Sequence, residues 1–114
     1  MNVVINTRVG GFHPSNQAVR MYYMKKGFTE VFVRGGALFL RFRDPKDAVG
    51  NLFGMYDILR HDPVFVDIVK TLGKDANTQY CTLKIVEIPD GVDYEVVNCD
   101  DGTEYIAEKH RRWE

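Results

Sequence analysis

Glycine sets the scale of this chain. Its ten glycines fall at Gly10-Gly11, Gly27, Gly35-Gly36, Gly50, Gly54, Gly73, Gly91 and Gly102. A glycine costs a helix interior about 1 kcal/mol relative to alanine and also weakens a strand, so elements end where glycines occur. The stretches between them have room for a short strand or a helix of a few turns. No apolar run approaches the ~20 residues that cross a bilayer as a helix. The length of 114 residues predicts one domain.

Val3-Val4-Ile5 opens a β-branched run through Val9, which predicts a strand buried on both faces. Gly10-Gly11 ends it. Ser15 is then an N-cap candidate, its hydroxyl placed to accept from an orphan N–H of the next turn. The helix that follows carries Ala18, Val19, Met21, Tyr22, Tyr23 and Met24 as core and rim. Lys25-Lys26 complement its dipole and Gly27 stops it. Residues 29–33 and 37–42 predict a hairpin across Arg34-Gly35-Gly36. Residues 48–59 are apolar but broken by Gly50 and Gly54. They read either as a short strand around 55–58 or as an apolar loop over the core or a second subunit. Asp62-Pro63 marks a helix start, and Phe65, Ile68, Val69 and Leu72 form its buried stripe. Residues 83–88 predict a strand, and 93–98 with 103–109 predict a hairpin across Cys99-Asp100-Asp101-Gly102. The order β-α-β-β-(β)-α-β-β-β gives an α+β fold. Its expected form is an antiparallel or mixed sheet with two α-helices packed on one face, in a single domain over residues 1–114.

The charges nearly cancel, 15 Lys+Arg against 16 Asp+Glu, but they are unevenly placed. Positions 1–60 hold nine bases and four acids, about +5; positions 61–114 hold six bases and twelve acids, about −6. Halves on separate faces would leave the front attractive to anions, whereas interleaved strands would neutralise each other. A duplex nucleic-acid binder needs a clustered basic face and is disfavoured at a sequence pI of ≈ 6.3. No cationic leader precedes an apolar run, and there are two cysteines. The expected setting is a reducing cytoplasm with free thiols and no membrane partner.

The first turn holds the leading candidate site. Arg8, Gly10, Gly11, His13 and Ser15, with Asn6 one alternate strand position from Arg8, form a set suited to a phosphate, carboxylate or nucleotide-like group. Glycines let a backbone approach a ligand, and a helix N-terminus attracts anions. The same glycines equally suit a tight strand-to-helix turn, and the pattern is neither G-x-G-x-x-G nor a Walker loop. The second candidate is Glu108-Lys109-His110-Arg111-Arg112-Trp113. There His110, Arg111 and Trp113 offer an acid/base, a guanidinium fork and a stacking face; the alternative is a solvated terminus. Arg60-His61-Asp62 looks catalytic, yet Asp62 is explained as an N-cap. Glu104 and Glu108 stand too far apart on a strand to share a proton and read as a solvated face. His13, His61, His110, Cys81 and Cys99 lack metal-ligand spacing, and neither cysteine sits in an activating motif. No catalytic residue, metal or cofactor is assigned.

Three segments carry a resemblance. They are Val3-Val4-Ile5-Asn6…Gly10-Gly11-Phe12…Ser15; Tyr56-Asp57-Ile58…Arg60…Asp62-Pro63 with Leu72-Gly73; and Leu83-Lys84-Ile85-Val86-Glu87-Ile88-Pro89 through Ala107-Glu108-Lys109-His110-Arg111…Trp113. In these the chain resembles a family of small proteins found in bacteriophages and their bacterial hosts. His13-Pro14 departs from the small or apolar residues of that pattern, and residues 29–52 lie outside it. The resemblance implies phage origin and action in the cytoplasm of an infected cell, and it transfers no catalytic residue. Small phage proteins without catalytic signatures commonly act by binding. One expectation is a sponge for a small anionic, nucleotide-derived host-defence signal. Such a sponge would be a homo-oligomer, because a chain this small needs copies of itself to enclose a ligand. The alternative is a protein–protein inhibitor of a host defence enzyme, using residues 48–59 and the acidic back half. A small nucleotide-acting enzyme is the third reading.

Overall fold

The computed structural model describes residues 1–31 and 40–108. In chain order the elements are β1 (Asn2–Asn6), α1 (Asn16–Lys25), β2 (Thr29–Val31), β3 (Arg41–Arg43), β4 (Leu52–Phe53), α2 (Pro63–Leu72), β5 (Leu83–Glu87), β6 (Tyr94–Asn98) and β7 (Glu104–Glu108). Short 3-10 turns cover Met55–Asp57 and Gly73–Ala76. The fold is α+β. All strand pairing among the described residues is antiparallel and is shared between three small sheets, β1-β5, β2-β3-β4 and β6-β7.

Both helices start as their sequences dictate. Ser15 Oγ accepts from Ala18 N at 3.2 Å, and Asp62 accepts from Val64 N at 2.9 Å with Pro63 in the first helical position. Helix α1 turns Ala18, Val19, Tyr22 and Tyr23 inward, and α2 turns Phe65, Val66, Ile68 and Val69 inward. The two helices pack on each other, α1 also on the β2-β3-β4 sheet and α2 on β1 and β5. Aromatic rings fill the seam. Tyr23 stacks on Phe42 with ring centroids 4.5 Å apart, and Tyr22 meets Phe65 edge to face at 6.0 Å. Strand β1 is buried on both faces, as a β-branched run between two layers must be.

Two expectations change. The first strand ends at Asn6 instead of Val9, because Asn6 Oδ1 accepts from Arg8 N and turns the chain two residues on. The strand of 48–59 lies at Leu52–Phe53, and Met55–Asp57 is a 3-10 turn closed by Gly54 N donating to Asp57 Oδ2 at 2.7 Å. The hairpin of residues 29–42 is present as the β2-β3 pair, Thr29 opposite Arg43; its loop, 34–36, lies outside the described residues. The charge halves partly interleave, since β1 pairs with β5. Even so, β6 and β7 belong to a stretch from 85 to 108 that holds eight acids and no Lys, Arg or His.

Candidate functional site

The glycine turn is built against the chain itself. A β-carbon on Gly10 would lie 2.7 Å from Tyr80 O, and one on Gly102 would lie 2.9 Å from Gly10 N. Gly10, at φ 135°, donates its N–H to Asp101 O at 3.0 Å. The backbone approach that these glycines permit is thus made to Tyr80 and to the β6-β7 turn. Asn6 is fully buried and spends its whole amide here. Its Oδ1 accepts from Arg8 N and Thr82 N (3.0 and 3.1 Å), and its Nδ2 donates to Arg8 O and Gly102 O (2.7 and 2.9 Å).

The N-terminus of α1 is similarly engaged. Ser15 Oγ donates to Asp75 O at 2.7 Å and Ser15 N donates to Ala76 O at 2.8 Å, so the 73–76 turn lies over it. His13 is half-buried and accepts from Thr78 Oγ1 at its carbonyl, 3.0 Å. Of the first-turn set, Arg8 is exposed, with exposed Tyr80 across the Gly10 contact. The structure brings Asn6, Arg8, Gly10 and Gly11 together; His110, Arg111 and Trp113 lie outside the described residues.

Arg60-His61-Asp62 acts as a clamp, each residue reaching a different element. Arg60 forks onto Glu104 with contacts of 2.7 and 2.9 Å, and its guanidinium carbon stacks 3.5 Å from the Phe12 ring centroid. Glu104 Oε1 also accepts from Asn6 N at 2.8 Å. This corrects the reading of Glu104 as part of a solvated face: it is buried, and only Glu108 of the pair is exposed. Burial costs a lone carboxylate several kcal/mol, so the bidentate arginine and the backbone N–H are what make the position tenable. Alternation alone could not separate the two, because exposed Glu108 shares a strand face with Glu104 and Ile106.

His61 Nδ1 lies 2.6 Å from Tyr94 Oη, the rings nearly perpendicular at 89°. Burial raises the Tyr94 phenol, partly opposed by Arg60. Asp62 accepts from Tyr22 Oη and pairs with Lys26 Nζ, both at 2.8 Å. Burial pushes its carboxyl up, but hydrogen bonds from Lys26, Tyr22 and Val64 N outweigh that and hold it below its ordinary value. Burial, aided by the Asp62 hydrogen bond, pushes the Tyr22 phenol far up. Tyr22, Asp62 and Tyr94 therefore each stay in one protonation state near neutrality and serve architecture.

The segment just before the clamp does the opposite. Val49, Leu52, Tyr56 and Leu59 are 82%, 48%, 74% and 60% exposed. Their spacing of three, four and three mimics a helix stripe, but Gly50 and Gly54 prevent the helix that would turn it inward. Met55 and Ile58 are the buried anchors of this strap, and Tyr23 Oη donates to Gly54 O at 2.5 Å beneath it. The acids in and just before the strap bind their own loops. Asp44 accepts from Lys46 N, Asp47 from Val49 N and Asn51 N, and Asp57 from Gly54 N. Arg43 and Lys46 stay exposed, Arg43 directly across from Leu52.

Two open grooves accompany these surfaces. One of about 340 Å³ is lined by Met1, Asn2, His61, Pro63, Val66, Asp67 and Lys70; another of about 320 Å³ is lined by Thr29, Val31, Arg43 and Pro45. Among the described residues, no group of three His, Cys, Asp or Glu side chains is placed to hold a metal ion. No described helix is long and apolar enough to cross a membrane. Cys81 is buried and Cys99 exposed, both free. No protein-family model, no curated protein and no solved structure matches the chain.

Proposed function

We propose that the protein works by binding another protein, with the strap of residues 49–59 as its contact surface, in the manner of an inhibitor. One observation carries the reading: four large apolar side chains stand exposed within this short strap, which is itself pinned by Met55 and Ile58. Four large apolar side chains left exposed within one short segment suit an interaction site, and the tyrosine adds a rigid amphipathic anchor. The resemblance to phage proteins makes a bacterial host protein the natural partner. The test is retention from a bacterial lysate on the immobilised protein beside its Leu52→Glu/Tyr56→Glu variant. A protein retained by the parent and lost from the variant is expected. Equal retention by both, or none by either, sinks the reading.

A second reading rests on exposed Arg8 and Tyr80 at the glycine turn. There a nucleotide-like anion would lay its base on Tyr80 and its phosphate on the guanidinium, as in a sequestering protein. Isothermal titration with cyclic oligonucleotides and ADP-ribose decides it. Binding weakened by Arg8→Ala supports it; no heat with any of them removes it.

A further inference from the structure

We propose that the groove formed by α2, the start of β1 and His61 is a site for a small zwitterion with an apolar body, an α-amino acid such as leucine. It goes beyond the strap and does not depend on it. Helix α2 has two occupied faces. Phe65, Ile68 and Val69 enter the core, while Pro63, Val66, Asp67 and Lys70, at i, i+3, i+4 and i+7, line the groove of about 340 Å³. Asn2 and His61 line it as well. That volume lies at the lower end of the roughly 300–1,000 Å³ of small-molecule sites, which suits a ligand of a few heavy atoms.

The polar groups that line this groove differ from those of the interior. Asn6, Asp62 and Glu104 each bind other parts of the chain. Asp67 and Lys70 are exposed and three residues apart, yet they do not close on each other, and neither pairs with another charge among the described residues. The half-buried Asn2 makes no side-chain hydrogen bond among the described residues. His61 meets Tyr94 Oη through Nδ1 at 2.6 Å, which orients the ring and leaves Nε2 for a ligand. The Met1 ammonium, beside Asn2, already donates to Ile88 O and Asp90 Oδ1, both at 2.6 Å.

These charges select the ligand. A simple anion drawn to Lys70 would face Asp67, and a simple cation drawn to Asp67 would face Lys70. A molecule that carries both signs answers both. Its ammonium goes to Asp67, and its carboxylate goes to Lys70 and the Asn2 amide N–H. Pro63 and Val66 give its side chain an apolar floor, so an aliphatic amino acid fits better than a polar one.

An NMR titration with millimolar L-leucine tests this. Saturable shifts are expected at the Val66 methyls and the His61 ring. Leucinol lacks the carboxylate and isocaproate lacks the ammonium, and each should bind the parent about tenfold more weakly or worse. Asp67→Asn should abolish the preference for leucine over isocaproate, and Lys70→Met the preference over leucinol. Both positions are exposed, and circular dichroism checks that each variant keeps its fold. No shift with leucine, shifts that lie away from the groove, equal binding of isocaproate or leucinol to the parent, or preferences that survive both substitutions overturn the proposal. The Leu52→Glu/Tyr56→Glu variant should bind leucine as the parent does, which keeps this site separate from the strap.

Discussion

Residues 49–59 and 60–62 adjoin in sequence and behave as opposites. The first stretch turns apolar side chains to solvent, while the second draws an arginine and an aspartate inward and ties each to a distant element. Hydrophobicity alone predicts the reverse. The difference teaches that in a chain cut so short by glycine, the interior is organised by a few fully satisfied polar groups as well as by apolar burial. Apolar residues that no regular element can turn inward are left at the surface.

The sharpest way to break that contrast is to remove the buried carboxylate. Glu104→Ala strands Arg60 beside Phe12 and Asn6 N without an acceptor, and should cost about 3–5 kcal/mol in denaturant unfolding. If the loss is within 1 kcal/mol (roughly the worth of a surface pair), the clamp is not structural. Gly102→Ala comes next. Its φ is 94° and a methyl would press on the Gly10 and Gly11 backbone, so about 3 kcal/mol is expected.

Asp62→Ala removes the α2 cap and the acceptor for Tyr22 and Lys26, about 2 kcal/mol by thermal or chemical unfolding. The same residue sets a pH dependence. Its carboxyl is held below the ordinary value of 3.8. Its contribution to stability is therefore complete above that value and is lost as pH falls through the lower native one. Asp62→Asn should flatten the acid side of the stability profile; an unchanged acid limb would show that the carboxyl is not depressed. Smallest of all in stability, Leu52→Glu and Tyr56→Glu should fall within about 0.5 kcal/mol of the parent. A larger cost would mean that the strap packs inward and is not a surface.

Much of the fold was legible. Ser15, Asp62-Pro63, Gly27 and Gly73 marked both helices, because capping chemistry is local and acts within one turn. The β6-β7 hairpin was legible for the same reason. The candidate site was much less so. Gly10-Gly11 announced a close backbone approach but not to what, since the answer lies at Tyr80 and Gly102, far along the chain. Glu104 read as solvated because nothing near it in sequence reveals Arg60. Asn6 read as a ligand contact because an amide that satisfies four backbone groups cannot be told locally from one that reaches a ligand.

By itself, then, the sequence determined where elements begin and stop, that they are short, and that the back of the chain is acidic. These follow from backbone propensity and composition, which need no partner. The tertiary structure alone decided which polar groups are buried and satisfied and which apolar ones remain outside. The free energy of a charge or a leucine depends on what long-range packing places beside it. It is that decision that makes the strap, and not the glycine turn, the contact surface proposed above.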